Sequence, residues 1–237
     1  ILKHDPRQLT KMNSTNLLDA IEHETANDPR WSVLWLHGLG ADGNDFVPII
    51  RELGLPADAA VRFIFPNASA IPVTINGGYV MPAWYDILSL DGDQREVDVT
   101  GIYASRDAVR QLIAAENARG VPCSRIVLAG FSQGGAIAWL TGLTHDEPLA
   151  GILALSTYLP TPELLRDELN AACLDTPMLA THGRHDDVVP LAMGRAATSV
   201  VEDLGGHVDW KDYAMAHAVC LDEIVDIGRW LSARLAS

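Results

Sequence analysis

Cysteine is scarce in this chain of 237 residues: Cys123, Cys173 and Cys220 are its three. The number is odd and no C-x-x-C spacing occurs, which argues against a disulfide framework or a zinc site. Free thiols suit a reducing, cytoplasmic setting. Positive charge is also short. Lys and Arg number 17 against 31 Asp and Glu, a net charge of −14 with a sequence pI of about 4.8. Such a chain repels phosphates, so nucleic acid is not an expected partner. Nor is it drawn to an anionic membrane surface. No apolar run is long enough to span a bilayer, so stable membrane insertion is not expected. Residues 1–30 are polar, without the apolar core of a signal peptide. No repeat, low-complexity tract or Pro/Gly/Ser linker divides the chain, and its length suits one domain.

Short apolar runs alternate with helical patterns. Trp31–Leu36, Val61–Phe65, Arg125–Ala129, Leu149–Leu155, Met178–His182 and His207–Tyr213 read as strands. Helices are expected at 45–53, 99–119, 135–140, 161–172, 191–204 and 218–235. The helix at 99–119 stops at Gly120 with Pro122 beyond, and Gly205-Gly206 closes the one before the last strand. This alternation predicts an α/β fold, a mostly parallel sheet with helices on both faces. Residues 1–30 read as a polar lead-in and 31–237 as the domain. Residues 66–98 are rich in proline and glycine and lack periodicity. A loop of this length in a compact domain is usually functional. Its segment Gly77–Asp86, which holds Met81, Trp84 and Tyr85, reads as a flap over substrate or as a self-packed surface loop.

One motif carries chemistry. Gly130-Phe131-Ser132-Gln133-Gly134 spells G-x-S-x-G between a β-branched strand and an apolar helix. Strand, glycine turn, serine and helix make the context of a nucleophile elbow. A serine hydroxyl is a poor nucleophile at neutral pH and needs a base, itself oriented by a third group. In an elbow fold the acid and then the histidine follow the serine. His217 lies between the last strand and the last helix and is the expected base. His207 begins a strand, and His182 and His185 flank the expected acid loop. That loop, 182–190, offers two adjacent carboxylates, Asp186 and Asp187, and spacing leaves both open. The oxyanion hole needs two N–H donors. Gln133 follows the nucleophile and supplies one; Leu39, in the glycine loop His37-Gly38-Leu39-Gly40, is nominated for the other.

Taken together, several motifs resemble one family. They are Leu36–Gly43, Trp84-Tyr85-Asp86, Gly130–Gly135, His182-Gly183 with Asp186 and Val189-Pro190, and Met215-Ala216-His217. In this order they are similar to the phospholipase/carboxylesterase family of α/β-hydrolases, from about residue 31 onward. That resemblance implies an α/β-hydrolase fold. It selects Asp186 over Asp187, implies Leu39 and Gln133 at the oxyanion hole, and puts Trp84 near the acyl site. It implies a serine carboxylesterase for short to medium acyl chains, acting on a small-molecule ester or acyl thioester without a metal or organic cofactor. The alternative within the resemblance is an acyl-protein thioesterase or lysophospholipase. A homodimer is a further expectation from the resemblance.

Overall fold

The computed structural model describes residues 17–91 and 94–236, with the side chains of residues 91 and 94 left aside. In chain order its elements begin with strands β1 (Ala20–Glu24) and β2 (Trp31–Leu36), helix α1 (Ile49–Glu52) and strand β3 (Val61–Pro66). Two hairpins follow, β4 (Ala70–Val73) with β5 (Tyr79–Pro82), and β6 (Ile87–Asp91) with β7 (Gln94–Val97). Then come α2 (Val99–Ala118), β8 (Ile126–Phe131), α3 (Gln133–Leu143), β9 (Gly151–Leu155) and α4 (Pro162–Glu168). The chain ends in β10 (Met178–Gly183), α5 (Leu191–Asp203), β11 (Val208–Tyr213) and α6 (Leu221–Leu235).

Among the described residues seven strands form the central sheet, in the order β1-β3-β2-β8-β9-β10-β11. Only the edge pair β1·β3 is antiparallel. Period-two alternation sends strand side chains to opposite faces. Leu34, Leu36, Ile126 and Leu128 pack with Ile102, Ile113, Ile137 and Leu140 from α2 and α3. Trp31, Val33, Trp35, Val127 and Ala129 pack with Ile49, Ile227 and Leu231 from α1 and α6. Both sheet faces are covered, and the middle strands are buried along their whole length. This is the reason they read as continuous apolar runs.

Three expectations need correction. The segment 1–30 was expected to be a polar lead-in, yet Ala20–Glu24 adds an antiparallel strand to β3. Its apolar content is too low for pattern alone to find it. Ion pairs hold it there: Arg62 lies 2.9 Å from Glu24, and Arg119 lies 2.7 Å from Glu22. Arg62 in turn meets the buried Glu116 of α2 at 2.7 Å. The helix expected at 45–53 is a 3-10 turn, Gly43–Phe46, followed by the four residues of α1. Pro48 lies between the two. The region 66–98 is not one loop but two hairpins, and their strands are too short and too interrupted by Pro and Gly to show a period.

Candidate active site

The sheet brings the sequence-predicted residues to one edge. Ser132, Asp186, His217 and Leu39 each follow the C-terminal end of a strand, β8, β10, β11 and β2 respectively. Ligands of parallel α/β sheets bind at that edge.

Ser132 has φ 54° and ψ −120°, a strained backbone for a residue with a side chain. The surroundings enforce it. Its N–H donates to the Leu155 carbonyl at 2.8 Å, and its own carbonyl accepts the Thr157 hydroxyl at 2.6 Å. The turn is tight enough that a Cβ on Gly130 would collide with the Gly134 carbonyl. A Cβ on Gly134 would sit 2.5 Å from the carbonyl oxygens of Leu36 and His37. Glycine is therefore required at both positions.

The serine hydroxyl lies 2.9 Å from His217 Nε2, and His217 Nδ1 lies 2.7 Å from Asp186 Oδ2. The other oxygen of Asp186 accepts the N–H groups of Val188 at 3.0 Å and Val189 at 2.8 Å. This places the Asp186 carboxylate in a fixed pose with its side chain fully buried. Asp187 is exposed and lines the cleft mouth. Phe131 packs against the His217 ring with centroids 4.7 Å apart. The hydrogen-bonded line of hydroxyl, imidazole and carboxylate has the geometry of a general-base relay.

His182, which flanks the loop of Asp186, is buried beside this line. Its Nε2 lies 2.8 Å from the Val189 carbonyl, and burial holds its pKa below the usual histidine value. A neutral ring donating to that carbonyl fits both facts, and it braces the acid loop.

The N–H groups of Leu39 and Gln133 border the same space. Among the described residues no acceptor takes the Leu39 N–H, and Gln133 opens α3, where the first N–H has no intrahelical partner. The loop of Leu39 is held from both sides. His37 Nδ1 meets the Gly38 carbonyl at 2.7 Å, and His37 Nε2 accepts the Ala68 N–H at 3.0 Å. Burial lowers the pKa of this imidazole, which serves as a neutral brace. Gly40 donates to the Pro82 carbonyl at 2.8 Å, tying the loop to β5.

A cleft of about 730 Å³ opens over Ser132. Its apolar lining includes Phe46, Ile49, Val219 and Ile224, which pack with the core on one face of the sheet, and Ile75, Ile87 and Tyr158, which pack with the core on the other, with Leu90 beside them. Trp84, Tyr85 and Met81 were expected in a flap over substrate or in a self-packed surface loop, and none of them is in this lining. Trp84 is buried under the Leu39 loop instead, its indole N–H donating to the His37 carbonyl at 2.8 Å. Tyr85 is buried with its hydroxyl 2.7 Å from that of Tyr158. Met81 sits against Gly40 and Asn76. Trp84 supports the Leu39 loop from below, where its indole N–H finds an acceptor. The cleft wall from this region comes from Ile75, Ile87, Leu90 and Arg95, which no local motif singles out. Among the described residues no three His, Cys, Asp or Glu side chains gather as metal ligands.

A seven-stranded sheet with helices on both faces, and an elbow serine at its C-terminal edge, defines an α/β-hydrolase. The sequence matches the Phospholipase/Carboxylesterase family over residues 20–235, and the chain belongs to that family. It is therefore a hydrolase of the serine type. Acyl-protein thioesterase 1 of Neurospora crassa is 35% identical over 235 residues, covering 92% of this chain and 91% of that protein. Acyl-protein thioesterase 1 of Mycosarcoma maydis is 38% identical over 223 residues, covering 86% and 90%. Among solved structures, acyl-protein thioesterase 2 of Zea mays superposes with a TM-score of 0.81 at 26% identity, covering 92% of this chain and 99% of that one.

Proposed function

We propose that this protein hydrolyses acyl esters and thioesters through a covalent acyl-enzyme on Ser132. The observation that carries the reading is the unbroken line from Ser132 through His217 to Asp186 at the floor of an apolar cleft. His217 Nε2 takes the hydroxyl proton as Ser132 Oγ bonds to the carbonyl carbon. Asp186 keeps the imidazole in the tautomer that accepts this proton and stabilises the imidazolium. The negative charge passing to the carbonyl oxygen is met by the N–H groups of Leu39 and Gln133, the latter at a helix N-terminus. The tetrahedral centre then collapses, the bond to the alcohol or thiol breaks, and His217 returns the proton to the departing atom. Water repeats the sequence against the acyl-serine and releases the acid.

The names of the relatives favour a protein-borne acyl thioester as substrate over a small carboxylic ester. The relay serves both bonds alike, so the choice rests on which acyl chain and which leaving group the cleft holds. Hydrolysis of p-nitrophenyl acyl esters and of an acyl-thioester peptide by wild type and Ser132→Ala tests the reading. The variant should stay folded and lose turnover on both by a factor of about a thousand or more. Retained turnover would refute it.

A further inference from the structure

Two apolar recesses meet at one side chain. Tyr158 lines the cleft over Ser132, and it also lines a second recess of about 380 Å³. That recess lies between the chain after β9 and helix α5, walled by Leu159, Pro162, Met193, Ala197 and Val200. Tyr158 is only 2% exposed. Its hydroxyl is held by that of Tyr85 at 2.7 Å, and the Arg95 guanidinium covers its ring at 4.6 Å from the centroid. Arg95 is itself anchored, donating to the Val188 carbonyl of the acid loop. The ring is thus fixed at its edge and on its face, as a partition rather than a mobile side chain.

We propose that Tyr158 sets the length of acyl chain that this enzyme accepts, by closing the main cleft off from the recess beside α5. The proposal rests on the acyl-transfer reading above. In that reading the departing group must face His217 Nε2, the side bordered by Ala218 and Val219. The acyl chain then runs the other way, along Ile75, Ile87 and Leu90, toward Tyr158. A chain that reaches the ring has no further apolar surface to bury unless the partition opens. Each added methylene then gains no contact, and discrimination between chain lengths follows.

The test is the ratio of kcat/KM for p-nitrophenyl laurate to that for p-nitrophenyl butyrate. Tyr158→Ala should raise this ratio about tenfold or more. Tyr158→Leu, which keeps the site filled with apolar volume, should raise it less but in the same direction. Adding Ala196→Trp, which fills the second recess from the exposed face of α5, should return the ratio toward the wild-type value. An unchanged ratio in both Tyr158 variants overturns the proposal. So does a raised ratio that Ala196→Trp does not reverse, because the gain would then come from a loosened cleft. If wild type turned over neither ester, the acyl-transfer reading would fail and the proposal with it. Turnover with an unaltered chain-length profile would defeat the role of Tyr158 alone.

Discussion

The side-chain carbonyl of Gln133 accepts the backbone N–H of Trp84 at 2.8 Å, and its amide donates to the Tyr85 carbonyl at 2.7 Å. One residue thus follows Ser132 at the start of α3 and fastens the segment between the two hairpins with its side chain. Gln133→Ala would leave a buried N–H and a buried C=O unpaired. We expect a loss of about 2–4 kcal/mol in stability, read from urea unfolding. Turnover should fall about tenfold or more, because the loop carrying Leu39 rests on Trp84. An unchanged rate would mean that this support is dispensable.

The two adjacent carboxylates should separate cleanly. Asp186→Asn should lower kcat by about 10⁴, while Asp187→Asn should change it little, as measured on one ester at pH 8. Asp186 is locked by two backbone N–H groups and faces His217; Asp187 points to the cleft mouth. The reverse pattern would reassign the acid.

Gly134→Ala should be among the most damaging small substitutions in the protein. The new Cβ would lie 2.5 Å from two backbone carbonyls of the β2 exit, which cannot swing aside as a side chain does. A destabilisation of about 3 kcal/mol or more is expected in thermal unfolding. A stable, active variant would show that the elbow has slack the present geometry denies.

Much of this was legible because it is local. The elbow is five consecutive residues with a strand before and a helix after, and β2, β3, β8, β9 and β10 are short, largely apolar runs. Asp186 and Asp187 could not be told apart from spacing, since the difference is which one the N–H groups of Val188 and Val189 meet. β1 escaped notice because its partners, Arg62 and Arg119, lie far along the chain. The family resemblance, not the local pattern, implied Trp84 near the acyl site. Its burial under His37 depends on a hydrogen bond across 47 residues, which no periodicity encodes.

A pH effect on stability follows from Glu223. It is buried at the start of α6, where the Thr181 hydroxyl donates to one oxygen at 2.5 Å. The other oxygen has no partner among the described residues. Burial pushes its pKa from 4.5 up to about 7. Below about pH 4.5 folded and unfolded chains both hold the proton, and no penalty is present. Between there and about pH 7 the unfolded chain releases it while the folded chain keeps it, so this group's contribution falls as pH rises. Above pH 7 the loss is complete, on the order of 3 kcal/mol. Glu223→Gln should therefore be more stable than wild type at pH 8, with the difference closing toward pH 4.5. A constant difference across that range in melting temperature would contradict the assignment.

The central claim is that Ser132 is the nucleophile, and a fluorophosphonate probe tests it most directly. The native protein should take up one equivalent, and peptide mapping by mass spectrometry should place it on Ser132. Prior removal of the His217 imidazole by His217→Ala should slow the labelling sharply. Labelling at another residue, or no labelling of the folded wild-type protein, would contradict the account.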